Sequence, residues 1–314
     1  MKIVIFEIES WERKTFERLQ QDHEVVYERG RLDRATAGAH GDADVVSTFI
    51  YSTLGAEVIA ALPRLKLIAT RSTGFDHIDL AACGKRGVKV ANVPVYGEST
   101  VAEHVFALLL AISHHLIDAV DRTRRGDFSQ TGLRGFDLQG KTMGIVGAGS
   151  IGRHTARIAR GFGMEVVAFD AKPDEAVARA EGFRYLPLAG VLAAADVVSL
   201  HVPATAATHQ MIGAAEFAAM KDGAVLINTA RGSVVDVRAL LAALASGKIA
   251  AAGLDVLPEE PVIREEAELL RSAFDAEHDL GTLLADHILL RLRNVLITPH
   301  SAFNTREAVE RILE

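Results

Sequence analysis

The sequence predicts an α/β protein of two doubly wound parallel-sheet domains. Three observations predict it. The length of 314 residues exceeds what one core fills, since single cores stop growing near roughly 250–300 residues. Short β-branched apolar runs alternate with longer helical patterns, the order of successive βαβ units. The runs are apolar throughout instead of alternating with polar residues, as in parallel strands buried on both faces. Two such series occur, with a long helical segment between them.

In the first series, Ile3–Phe6, Asp44–Phe49, Leu67–Ala69 and Lys89–Ala91 read as strands, and helical stretches surround Trp11–Gln20, Ala56–Ala61 and Ile78–Lys85. Asn92–Thr100 reads as a domain crossing, because Val93 precedes Pro94 and a residue before proline avoids the helical region. One long helix is expected over Ser99–Arg125, where Val101, Val105, Leu108, Leu109, Ile112 and Leu116 recur at helical spacing. Residues 126–140 are glycine-rich and of mixed charge, which suits a linker. The second series gives strands at Thr142–Val146, Glu165–Phe169, Val197–Leu200, Ala224–Ile227 and Ala250–Gly253. Ile263–Leu292 breaks the alternation, carries many charges and reads as a helical insertion.

Apolar residues make up 49% and charged residues 24%, which excludes a disordered chain, a collagen-like fibre and a coiled-coil rod. The 34 basic and 41 acidic residues leave a net charge of −7, which speaks against a nucleic-acid coat or a basic membrane-surface protein. A lone cysteine, Cys83, permits no intramolecular disulfide and no Cys-rich zinc site, and fits a reducing compartment. The longest apolar stretch, Val105–Ile112, is far shorter than the about 18 residues that span a bilayer. The N-terminal apolar run is short and interrupted by acids, unlike a signal segment. A soluble cytoplasmic protein without a metal is therefore expected.

Gly147-Ala-Gly-Ser-Ile-Gly152 fits G-x-G-x-x-G, a weak signal alone. Its context strengthens it: a strand precedes it and an amphipathic helix, Ile151–Phe162, follows. Gly147 suits the tight turn, Gly149 a close approach of pyrophosphate to the backbone, and Gly152 close packing of helix on strand. The helix N-terminus adds N–H donors and a positive dipole end. Asp170 ends the next strand, about 20 residues on, where a carboxylate accepts from a ribose 2′-hydroxyl and repels a 2′-phosphate. This favours NAD over NADP, with Lys172 softening the repulsion.

Three further segments carry candidate chemistry. In Asn228-Thr-Ala-Arg-Gly-Ser-Val-Val-Asp236, Arg231 follows a buried strand, at the carboxyl end of the sheet where ligands bind. Its guanidinium suits a carboxylate, and a surface salt bridge is an equal reading on residue physics alone. In Gly253-Leu-Asp-Val-Leu-Pro-Glu-Glu-Pro261, Asp255 ends a strand and Glu259 and Glu260 lie between two prolines. Either glutamate alone reads as a solvated charge. In Ile297-Thr-Pro-His-Ser-Ala-Phe303, His300 follows an apolar run and a proline, yet it is one of 12 histidines.

Taken together, these segments resemble the D-isomer-specific 2-hydroxyacid dehydrogenase family, most like its D-lactate dehydrogenase branch. The resemblance runs from Thr73-Gly-Phe-Asp-His-Ile-Asp79 through Val93-Pro-Val-Tyr-Gly-Glu-Ser-Thr-Val-Ala-Glu-His104, the glycine fingerprint, Ser199-Leu-His-Val-Pro203, Met220-Lys-Asp-Gly223 and the Arg231 segment to Thr298-Pro-His-Ser-Ala-Phe303. The Ile263–Leu292 insertion is also similar to that branch.

The resemblance implies a Rossmann NAD-binding domain, residues 100–296, inserted in a discontinuous flavodoxin-like substrate domain, residues 1–99 and 297–314. It implies Arg231, Glu260 and His300 as catalytic residues, Glu260 being preferred to Glu259 because it lies five residues after Asp255. Cofactor contacts carry over to Ser150, Ile151, Asp170, Val202, Pro203, Thr208, Thr229, Ala230, Arg231 and Asp255, beside Gly147, Gly149 and Gly152. Substrate contacts carry over to the backbone of Thr73 and Gly74 and to Tyr96 and Phe303, with Phe49 as a further lining residue.

The implied reaction interconverts a small anionic 2-oxo acid and a D-2-hydroxy acid, by hydride transfer with NAD. Arg231 holds the carboxylate and the C2 oxygen, His300 exchanges the proton, and Glu260 orients the imidazole. The two domains are expected to close over the ligands, and the Ser99–Arg125 helix is expected to build a homodimer. Alternatives on the same scaffold are a hydroxypyruvate or glyoxylate reductase, a phosphoglycerate or phosphite dehydrogenase, and a non-catalytic NAD-sensing protein like the related corepressors. Gln210 stands near a position where relatives often carry histidine, and the branch often has a longer C-terminal tail than the run ending at Glu314.

Overall fold

The computed structural model describes residues 1–258 and 280–314, with side chains described for 1–258 and 284–314. The chain divides into two compact units, Met1–Tyr96 with Thr305–Glu314, and Gly97–Asn304.

In the first unit five parallel strands form one sheet in the order β2-β1-β3-β4-β5. They are β1 (Lys2–Ile5), β2 (Glu24–Tyr27), β3 (Val45–Thr48), β4 (Leu67–Thr70) and β5 (Lys89–Ala91). Their order is the flavodoxin-like one, reversing between β1 and β3, so the crevice beyond the carboxyl ends of that pair is where such a sheet takes ligands. Apolar side chains cover both faces, with Val4, Val46, Ile59 and Ile68 in one cluster and Ile3, Ile5, Ile8 and Val45 in another. The periodicity missed β2. It is a four-residue edge strand with no fully buried residue, and its apolar run Val25-Val26-Tyr27 is only three residues long.

The second unit holds seven parallel strands in the order β12-β11-β10-β9-β6-β7-β8. They are β6 (Thr142–Val146), β7 (Glu165–Phe169), β8 (Arg184–Tyr185), β9 (Val197–Leu200), β10 (Ala224–Asn228), β11 (Ile249–Leu254) and β12 (Val295–Ile297). This is the Rossmann arrangement, and its order reverses between β6 and β9. β8 and β12 have two and three residues, too few for a periodic signal. The five strands expected in this series are all present.

Two expectations need correction. The single helix over Ser99–Arg125 is two helices, Glu98–Ser113 and Leu116–Arg124, bent by 62°. His115 sits between them at φ +49°, and the Ser113 carbonyl accepts from the Phe136 N–H (3.0 Å), so the returning chain takes the acceptor that would continue the first helix. Leu116, placed on the apolar stripe by spacing, is half exposed in consequence. The second correction concerns the crossings, which fall at 96/97 and 304/305 instead of 99/100 and 296/297. Residues 298–302 stay with the second unit because long-range hydrogen bonds tie them to the end of β11, and spacing along the chain does not show these.

Of the expected insertion, Leu280–Leu289 is helical, while Glu259, Glu260 and Pro261 lie outside the described residues. Among the described residues no single helix is long and apolar enough to cross a membrane, and no group of three or more metal-ligating side chains forms.

Candidate active site

The fingerprint loop joins β6 to the Ser150–Gly161 helix. Gly147 adopts φ +98°, a left-handed conformation that a side chain resists, and a Cβ there would meet the His201 backbone at 2.8 Å. At Gly152 a Cβ would stand 2.2 Å from the Gly147 carbonyl oxygen, so only glycine lets helix and strand approach this closely. Around Gly149, by contrast, no described atom lies within 4 Å of the Cβ position. The loop is thus tight where it packs on protein and open at the middle glycine, beside the N-terminus of a 12-residue helix. That combination fits an anion approaching the backbone.

Asp170 follows β7. Its carboxylate accepts from the Ala148 N–H and the Lys172 N–H, both at 2.8 Å, so it is fixed against the glycine loop. A carboxylate accepts about four hydrogen bonds, which leaves capacity for ribose hydroxyls. After β9, His201 hydrogen-bonds Ser199 Oγ at 2.9 Å, and burial pushes its pKa down to about 3, so the imidazole is neutral. Val202 and the exposed Pro203 follow. Thr208 Oγ1 donates to the Pro203 carbonyl (2.6 Å) and accepts from the Thr205 N–H (2.9 Å), holding its own loop in shape. Ser150 and Ile151 open the helix, and Ser150 Oγ donates to Glu98 at 3.4 Å.

β10 delivers Arg231. The strand ends on buried Asn228, whose side chain accepts from the Ala230 N–H and donates to the Arg231 carbonyl, both at 3.0 Å. This turn fixes Thr229, Ala230 and Arg231. Thr229 Oγ1 is buried and makes no hydrogen bond to a described residue, an orphan of the kind that a ligand's polar group satisfies. The orphan hydroxyl, the open middle glycine and the fixed Asp170 lie after β10, β6 and β7 and together fit a dinucleotide. Gly232 presses on the chain leaving β11: a Cβ there would stand 2.1 Å from the Leu257 carbonyl carbon. The Arg231 loop and the chain at Leu257 and Pro258 are therefore in backbone contact.

His300 is held differently from what its sequence neighbours suggest. It adopts φ +52°, a left-handed conformation uncommon for a non-glycine residue and costing about 1–3 kcal/mol. Asp255 holds it there. The His300 N–H donates to the Asp255 carbonyl (3.0 Å), the Ser301 N–H to Oδ1 (2.9 Å) and the Ala302 N–H to Oδ2 (2.9 Å), and Thr298 Oγ1 donates to Oδ1 (2.5 Å). Asp255 is 1% exposed, with both oxygens occupied by protein donors. The structure thus places this expected cofactor contact beneath the His300 turn. Arg231, Asp255 and His300 all belong to the second unit, and so does half-buried Phe303.

Thr73, Gly74 and Tyr96 belong to the first unit, at the carboxyl ends of β4 and β5. The Asn92 side chain donates to the Thr73 carbonyl (2.8 Å), and Ser72 Oγ donates to that of Gly74 (2.6 Å). No hydrogen bond from the Thr73 or Gly74 N–H to another described residue is formed. Phe49 follows β3, in a loop held by Glu7. The Glu7 carboxylate accepts from the N–H groups of Phe49 (3.2 Å), Tyr51 (2.8 Å) and Ser52 (2.9 Å) and from Ser52 Oγ. Buried Arg71 donates to the Phe6 and Glu7 carbonyls. Glu7, Asn228, Gly232 and Thr298 are supports that sequence reasoning missed. They act through long-range contacts that no local pattern marks.

Comparison with known proteins agrees with this geometry. Residues 106–302 match the family model for the D-isomer specific 2-hydroxyacid dehydrogenase NAD binding domain. A 2-hydroxyacid dehydrogenase homolog of Haemophilus influenzae is 34% identical over 100% of this chain and 93% of its own length. A glyoxylate reductase of Korarchaeum cryptofilum is 37% identical over 87% of this chain and 77% of its own. The D-lactate dehydrogenase of Aquifex aeolicus, solved in complex with NAD and lactic acid, superposes with a TM-score of 0.88 at 35% identity, covering 99% of this chain and 92% of that one. With its glycine loop, Arg231 and the His300 turn all inside the matched region, the chain belongs to the D-isomer-specific 2-hydroxyacid dehydrogenase family.

Proposed function

We propose that this chain is a D-lactate-dehydrogenase-like enzyme that reduces a small 2-oxo acid to the D-2-hydroxy acid with NADH, and runs the reverse with NAD. The observation that carries the reading is the strained His300 turn, fixed by buried Asp255 in the same unit as Arg231 and the glycine loop. Strain persists where the surroundings over-determine it, and such positions cluster at functional sites.

NADH, when bound, supplies the hydride that reaches C2 of the substrate. Arg231 grips the substrate carboxylate and stabilises charge on the C2 oxygen with its forked donors. Protonated His300 gives its proton to that oxygen, and in the opposite direction neutral His300 accepts it. A positioned acid of this kind contributes about 10²–10⁴ in rate. Glu260, outside the described residues, is the proposed partner of the second imidazole nitrogen. In the first unit the Thr73 and Gly74 N–H groups and Tyr96 are the proposed substrate contacts, and in the second unit Phe303 is. Asp170 selects NAD through its carboxylate, whose charge opposes a 2′-phosphate.

Reduction of glyoxylate or hydroxypyruvate is the second reading, favoured by the 37% identity to a glyoxylate reductase. A panel of NADH oxidation with pyruvate, phenylpyruvate, glyoxylate and hydroxypyruvate separates the two. Preference for pyruvate or phenylpyruvate supports the first reading, and preference for glyoxylate the second. Turnover that survives His300→Ala would remove the proposed acid.

The form proposed is a cytoplasmic homodimer. Its support is the exposed apolar row Leu116, Ile117 and Val120 on one helix, and Cys83 kept as a buried free thiol. Light scattering behind a sizing column tests the dimer.

A further inference from the structure

A second imidazole reaches the His300 turn from below. His104 lies on the Glu98–Ser113 helix, with its Nε2 3.0 Å from Thr298 Oγ1 and 3.5 Å from Asp255 Oδ1. Its side chain is 20% exposed and that of Asp255 is 1% exposed. Counting protons fixes the direction of these bonds. An ionised carboxylate only accepts, and a hydroxyl has one proton to give. Thr298 Oγ1 lies 2.5 Å from Asp255 Oδ1 and spends its proton there. The hydroxyl offers His104 a lone pair, and Oδ1 offers the same. On either acceptor, Nε2 is the donor.

We infer that His104 is a positioning residue: its Nε2–H fixes the Thr298 hydroxyl, which fixes the Asp255 carboxylate, which holds the left-handed turn presenting His300. The carboxylate has three jobs in this turn, receiving Ser301, Ala302 and Thr298. If Oδ1 rotates, the Ser301 and Ala302 donors lose alignment, leaving the turn the His300 N–H bonds to the Thr298 (2.9 Å) and Asp255 (3.0 Å) carbonyls. His104 supplies the outermost constraint on that rotation, from a helix remote in sequence. The inference rests on the reading of His300 as the proton donor only for its kinetic consequence, and not for the hydrogen bond itself.

Two measurements on the full chain test it. With histidine-selective ¹⁵N labelling, long-range ¹H–¹⁵N spectra of the unliganded protein should show a proton on His104 Nε2. An unprotonated Nε2 overturns the inference whatever the enzyme's activity. In kinetics, His104→Leu should lower kcat by about tenfold or more through misplacement of the acid, with KM for the 2-oxo acid within about threefold. His104→Gln, whose amide nitrogen can stand where Nε2 stands, should restore most of the loss. Thr298→Val should be as slow as His104→Leu, and the double variant no slower than either. Should His104→Leu fold poorly, the Gln and Thr298→Val variants decide. Wild-type kcat in Thr298→Val, a Gln variant no better than Leu, or losses that multiply in the double variant would overturn the relay. Lack of NADH oxidation by the wild-type chain with every 2-oxo acid would instead count against the proposed function, leaving the spectral result to judge the hydrogen bond.

Discussion

Gly232→Ala is a sharp test of how the site is assembled, because the perturbation is one methyl group and its neighbours are backbone. A Cβ at Gly232 would stand 2.1 Å from the Leu257 carbonyl carbon, 2.4 Å from its oxygen and 2.4 Å from Pro258 N. Ordinary contact begins at 3.4 Å, so one chain must retreat by about 1 Å. No side chain can rotate to make room. The retreat separates the loop carrying Arg231 from the chain at Leu257 and Pro258. A misplacement of about 1 Å at a catalytic constellation costs about 10²-fold in rate, and the overpacking itself about 1–3 kcal/mol of stability. The assay is kcat/KM with the preferred 2-oxo acid, beside NADH affinity by fluorescence titration and a thermal melt. The expected result is a loss of about 10² in kcat/KM with a smaller loss of NADH affinity, since the glycine loop and Asp170 are untouched while the displaced loop carries Thr229. A variant within about threefold of wild type in kcat/KM would refute the argument that this backbone contact aligns the site.

Other outcomes follow from the same structure. Asp170→Ala removes the acceptor for the Ala148 and Lys172 N–H groups and the charge facing a 2′-phosphate, so NADH affinity should fall and the preference for NADH over NADPH should shrink by at least about tenfold; titration with both cofactors reads this. His201 is neutral in the fold, with its pKa pushed down to about 3 from 6.5 by burial, so the unfolded chain takes up a proton that the folded one does not, and stability falls as pH drops from 6.5 towards 3; thermal melts of His201→Gln should show a shallower fall over that window. Asp44 accepts from the Lys2 N–H and from Lys66 and Arg64, which hold its carboxyl well below the usual range, so its contribution is fully present above the ordinary carboxylate pKa and is lost as pH falls from there towards the lowered pKa of the folded state; Asp44→Asn should be less stable at neutral pH and lose less on acidification. Glu7→Ala frees three N–H groups of the Phe49–Ser52 loop, and should raise KM for the 2-oxo acid while NADH affinity stays the same.

Much of the architecture was legible because buried parallel strands write themselves as solid apolar runs. Thr142–Val146, Glu165–Phe169 and Val197–Leu200 coincide with their strands for this reason. The glycine loop was legible because each glycine has a separate steric task at fixed spacing, and Gly147 and Gly152 meet backbone where expected. Arg231 and His300 were weaker signals by themselves. An arginine after a strand has bland uses, and nothing in Thr-Pro-His-Ser marks a left-handed histidine. What gives them meaning is Asp255, 45 residues before His300 in the sequence, and the folded chain alone brings it under the turn. The break at His114–His115 was hidden for a similar reason, since the donor that ends the helix is Phe136. The second crossing was misplaced because the bonds of residues 298–302 run back to β11.

The most direct test of the central claim is the product itself. The full chain should oxidise NADH with pyruvate or phenylpyruvate in one-to-one stoichiometry, the hydroxy acid formed should be the D-isomer by chiral chromatography, and His300→Ala should slow the reaction by about 10²–10⁴ while still binding NADH. Formation of the L-isomer, or undiminished turnover in His300→Ala, would contradict the account.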